Sequence, residues 1–78
     1  MSIDREVFLA NLHRLMKTRN ITVEDLSKAT FSSSDHVKHW MSGKTVPRWG
    51  NLMLIANLLD VSVHDLIMPV EEKEQEQA

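Results

Sequence analysis

The chain has 78 residues, no cysteine and a formal net charge of -2 at pH 7, which confines it to one small domain that folds without disulfides or thiolate metal ligands. So short a chain has no room for a catalytic pocket beside its core, and no stretch approaches the ~18 consecutive apolar residues of a membrane span, so the expectation is a soluble, cytoplasmic protein that is not an enzyme. The acidic balance disfavours a polyanionic partner, but it is unevenly placed: residues 1–70 hold eight Lys and Arg against seven Asp and Glu, whereas residues 71–78 hold one Lys and four Glu.

In chain order, Phe8, Leu12, Leu15 and Met16 recur at helical spacing and predict a first helix over Val7 to Arg19, with His13 on its surface and Asn20 as a left-handed stop. Thr22 and Asp25 then form a capping box, and Ile21 and Leu26 a hydrophobic staple, for a second helix running to Ala29 or Thr30. Only a residue or two separate it from the serine-rich start of a third helix, and so tight a junction predicts the steep crossing of a helix-turn-helix. On the third helix Val37 and Trp40 lie one turn apart, with Ser34, Asp35, Lys38, His39 and Ser42 on the other side.

Gly43 is placed to close that helix, and Pro47 prevents its early resumption. A fourth helix over Trp49 to Leu59 takes Leu52, Ile55, Ala56 and Leu59 as its core face, with Asp60 at its end. Ser62 and Asp65 box the start of a fifth helix, Val61 and Leu66 staple it, and Pro69 stops it. The last eight residues, Glu71 to Ala78, have no apolar residue before the final Ala and are read as a disordered acidic tail beyond a 1–70 domain.

Taken together, Leu12, Leu15, Ile21-Thr22, Leu26, Ala29, Ser33, Val37, Trp40, Ser42-Gly43-Lys44, Pro47-Arg48, Leu52, Ile55-Ala56, Leu59, Val61-Ser62-Val63 and Leu66 resemble the Cro/C1-type, or XRE, helix-turn-helix family, in ungapped register over about residues 6 to 68. The resemblance implies an all-α, compact five-helix, lambda-repressor-like domain whose third helix enters the major groove of double-stranded DNA, normally as a homodimer on a two-fold operator. Carried over position by position, it implies Ser34, Asp35, Lys38 and His39 as base-reading residues. It implies Ser33, Lys44, Thr45 and Arg48 as contacts to the DNA backbone. No cofactor and no small-molecule ligand are expected. Chemically, Lys38 suits guanine O6 and N7, Asp35 suits cytosine N4, and His39 and Ser34 are permissive.

Several positions depart from the family pattern. Val23 stands where a phosphate-contacting Gln is usual, and Met16 and Met41 replace an Arg and Glu pair, so a thioether contact is expected in place of an ion pair. Phe31 occupies a turn position that favours Gly, and Ser32 one that favours Val. A bulky residue held at positive φ is strained by about 1–3 kcal/mol, so a rearranged turn is expected, with Phe31 swung inward, Ser32 as cap, Asp35 as its box partner and the third helix starting one residue early. Met53, Leu54 and Leu58, with Ile67, Met68 and Val70, form either a dimer or partner surface or additional core. His36 and His39 lie three apart but lack a third ligand, so no metal site is expected.

Two functions fit. The first is a sequence-specific transcriptional repressor of the phage or prophage Cro kind. The second is a protein-interaction module on the same scaffold, an antirepressor or antitoxin-like partner, favoured by the weak charge, Val23, Asp35 and the apolar fourth helix.

Overall fold

The computed structural model describes residues 3–69, and these form five helices and no strand: α1 (Arg5–Arg19), α2 (Val23–Thr30), α3 (Ser34–Ser42), α4 (Trp49–Leu59) and α5 (Val63–Ile67). Each boundary has a local cause. Asp4 accepts the backbone N–H groups of Glu6 and Val7, so α1 begins two residues earlier than its apolar periodicity suggests. Asn20 ends α1 in the left-handed region at φ 58°, and its N–H satisfies carbonyls of the last turn. Complete capping boxes, Thr22 with Asp25 and Ser62 with Asp65, start α2 and α5. Asp60 closes α4 at φ 58°, a conformation its short polar side chain tolerates.

The helices enclose one core of Phe8, Leu12, Leu15 and Met16 from α1, Leu26 from α2, Val37 and Trp40 from α3, Leu52, Ile55, Ala56 and Leu59 from α4, and Leu66 from α5. α1 packs against α5 and α3, and α2 against α4 and α3. Met16 lies within this core and Met41 packs half-buried against it, so apolar burial replaces the charged pair usual at those positions. Val23 is also half-buried against the core.

One polar side chain is fully enclosed. Asn11 donates through Nδ2 to the carbonyls of Leu66 (2.9 Å) and Met68 (2.7 Å), while the Arg14 guanidinium donates to its Oδ1 (3.3 Å). These bonds tie the free carbonyl end of α5 to α1, the role that a C-terminal cap otherwise plays.

The turn between α2 and α3 does not rearrange. Phe31 keeps φ 56° and ψ 35°, its side chain is 93% exposed, and Ser33, not Ser32, caps α3 by accepting the His36 N–H (3.1 Å). The reason lies in the backbone. The N–H groups of Phe31 and Ser32 both donate to the Ser27 carbonyl, and the Ser27 hydroxyl donates to the Ser32 carbonyl. Swinging Phe31 inward would break several such bonds, each worth about 1 kcal/mol, to relieve a strain of about 1–3 kcal/mol. The hydrogen bonds win, and the left-handed residue remains where the family pattern places it.

Of the expected partner surface, Met53 and Leu54 are exposed (52% and 40%), whereas Leu58 and Ile67 are half-buried against the core and Met68 is half-buried. Trp49, at the start of the same helix, is 56% exposed. Val70 and the proposed acidic tail lie outside the described residues.

Candidate nucleic-acid interface

α3 is short, nine residues, and its inward face is reduced to the fully buried Val37 and Trp40, with Met41 at the edge. Helical spacing then turns Ser34, Asp35 and Lys38 to solvent, with His39 half-buried on the same side. The four residues expected to read bases therefore share one face. His36 lies at the flank, where its ring meets Trp40 edge to face with centroids 5.1 Å apart and planes at 78°. His36 is itself exposed, and among the described residues no group of three His, Cys, Asp or Glu is arranged to hold a metal ion.

Both ends of this helix are fixed. At its start, Ser33 uses its hydroxyl as the cap, leaving the N–H groups of the first turn directed outward with the positive end of the helix dipole. At its end, Gly43 takes φ 83° and, with Lys44 and Thr45, returns backbone N–H groups to the carbonyls of His39 and Trp40. A Cβ at Gly43 would lie 2.7 Å from Leu9 Cδ1, the far end of a side chain that can shift, so it is chiefly the positive φ that favours glycine here.

A further tie reaches across from α1. His13 Nε2 lies 3.0 Å from the Met41 carbonyl, an oxygen in the last turn of α3 that has no partner further along the helix. Because a carbonyl only accepts, that ring nitrogen carries the proton. His13 is exposed, as its spacing suggests, but it also braces the end of α3 at Met41, 28 residues away in sequence. Nothing local to His13 signals this role.

The loop after α3 presents Lys44, Thr45 and Arg48 to solvent and buries Pro47. Arg48 also takes the cap position of α4 without a side-chain hydrogen bond to that helix, so its guanidinium is not committed to capping. Lys38, Lys44 and Arg48 give the segment from α3 to α4 three cations with Asp35 as its one carboxylate. This segment thus carries a local excess of positive charge on a chain whose overall charge is negative.

Comparison with known proteins bears on this geometry. A family model described as the Cro/C1-type HTH DNA-binding domain matches residues 11–72. Among solved structures, a hypothetical transcription factor, NHTF from Neisseria, is similar with a TM-score of 0.81 at 16% sequence identity, over 97% of this chain and 93% of that chain, a likeness of fold. No curated protein sequence matches significantly.

Proposed function

The chain belongs to the Cro/C1-type HTH DNA-binding domain family, and from that premise we propose that it is a sequence-specific repressor of the phage or prophage Cro kind, a cytoplasmic protein that occupies an operator as a homodimer. The observation that carries this reading is the single face of α3 that presents Ser34, Asp35 and Lys38, with His39 beside them, flanked by Lys44, Thr45 and Arg48. In the major groove Lys38 donates to guanine O6 and N7, Asp35 accepts from cytosine N4, and His39 and Ser34 contribute shorter contacts. Ser33, Lys44, Thr45 and Arg48 meet phosphates and set the register of the helix. No helix among the described residues is long and apolar enough to cross a membrane.

The test is duplex binding across a salt series, with selection of preferred sites from a random pool. Affinity should fall steeply with salt, and a chain without DNA affinity at low salt would reject the proposal in favour of the protein-interaction reading. Lys38→Ala should reduce preference for the selected site by about 1–3 kcal/mol while leaving random duplex binding nearly unchanged. Lys44→Ala should weaken both alike and lower the salt slope by about 1. Equal effects of the two substitutions on both duplexes would show that α3 does not read bases.

A further inference from the structure

Phe31 contributes nothing to the core, yet the fold holds it in a conformation that disfavours it. Its side chain is 93% exposed, the most exposed of the large apolar residues described, and its φ of 56° is a region where Gly or Asn rests without strain. The turn itself does not need the ring. Its geometry comes from the bonds of the Phe31 and Ser32 N–H groups to Ser27 and from the Ser27 hydroxyl. A residue that costs stability through backbone strain and gains none from burial points to a contact outside the chain.

The surroundings indicate what that contact is. Phe31 is followed by Ser32, Ser33, Ser34 and Asp35, and it stands two residues before the cap of α3, at the positive end of that helix. The core of a protein interface surrounds an aromatic anchor with further apolar area and is depleted in such residues. The other exposed apolar side chains, Trp49, Met53 and Leu54, are all on α4. At most about 11 Å of chain separates the Cα atoms of Phe31 and Ser34, and the major groove is roughly 12 Å wide. A ring rooted there, when Ser34 faces base edges, is within reach of the wall of the groove.

We infer that Phe31 is a DNA-contact residue whose ring packs against the apolar edge of the duplex, a thymine methyl or a deoxyribose, at the point where the N-terminus of α3 enters the groove. The inference rests on the DNA-binding reading above and adds an apolar contact to its polar and charged ones. It explains why this left-handed position holds Phe and not Gly or Asn: the hydrogen bonds to Ser27 fix the backbone, and the ring they leave outside is available for the contact.

The experiment compares the full chain with Phe31→Asn and Phe31→Tyr on the duplex that wild type selects, with thermal unfolding and light scattering in parallel. Phe31→Asn should bind about tenfold more weakly, the change that burying roughly half a phenyl ring corresponds to. Its salt slope should match wild type because no cation is removed. Its unfolding midpoint should rise by roughly 5 °C, since Asn accepts the left-handed backbone. Phe31→Tyr, which keeps the ring, should bind as wild type does. Repeating the comparison with deoxyuridine in place of thymidine separates the two contacts: the penalty disappears if the ring touches a methyl and persists if it touches sugar. Unchanged affinity of Phe31→Asn, a lowered midpoint, or an altered oligomeric state would overturn the inference while leaving the DNA-binding reading intact. A wild-type chain without salt-sensitive DNA affinity would overturn both.

Discussion

Asn11 holds the two ends of the fold together with one amide group. Its Nδ2 serves the carbonyls of Leu66 and Met68, and among the described residues no other polar side chain is so fully enclosed. Asn11→Ala would leave those acceptors without their donor beside a small cavity, at a cost of about 1–3 kcal/mol for the lost partner. Urea denaturation should show this as a lower midpoint with an unchanged slope. Random duplex binding below that midpoint should be unaffected, because the hydrogen bonds of Asn11 go to Leu66, Met68 and Arg14 and not to Lys44 or Arg48. From the sequence, Asn11 reads only as a polar residue on the first helix beside Leu12. His13 is similar: its surface position is legible, but the Met41 carbonyl it meets is not. Phe31 is the opposite case. Side-chain size argues for burial, but the hydrogen bonds around Ser27 fix the backbone and so send the ring to solvent.

At the scale of elements, the helix starts are the most readable part of the chain because capping is local chemistry. Thr22 with Asp25 and Ser62 with Asp65 are recognisable as pairs three residues apart, and both boxes form. In the first box the Asp25 carboxylate accepts the Thr22 backbone N–H, then interacts with the Thr22 hydroxyl, with Lys28 contributing, and this holds its pKa below the usual carboxylate value. A lowered folded-state pKa means that the stabilisation is complete above the unfolded value of roughly 3.9 and is lost as pH falls through the lower folded value. Asp25→Asn should therefore flatten the acid limb of the stability profile below about pH 4 and leave the profile near neutrality with the same shape. Unfolding midpoints by circular dichroism from pH 7 to pH 2 measure this; an acid limb identical to wild type would mean the box does not contribute. The first residue of α1 was less readable, because apolar periodicity locates a helix face and Asp4 lies before that face begins.

At the scale of the whole molecule, apolar side chains left exposed on α4 bear on assembly. Met53 and Leu54 project to solvent, whereas Leu58, one turn on from Leu54, and Ile67 of α5 are half-buried against the core. If the domain forms a homodimer through this face, Met53→Glu with Leu54→Glu should convert it to monomer and weaken operator binding while leaving the unfolding midpoint within about 0.5 kcal/mol, as for other exposed substitutions. Light scattering decides: a dimer that survives both changes uses another surface. Leu58→Glu is the less informative variant, because it would also damage the core.

The sequence by itself determined the five helices, most of their boundaries, the core faces and the family, since helical spacing, capping pairs and stop residues act over a single turn. It also placed Ser34, Asp35, Lys38 and His39 on one face, because an α-helix of known register admits no other arrangement. Tertiary structure alone decided which residues anchor that face and which remain outside it. The partners of Asn11 and His13 lie 55, 57 and 28 residues away, so they meet only once α1 has docked on α5 and α3. Whether Phe31 turned inward depended on a competition between strain and several turn hydrogen bonds, and residue size alone carried no information about its outcome.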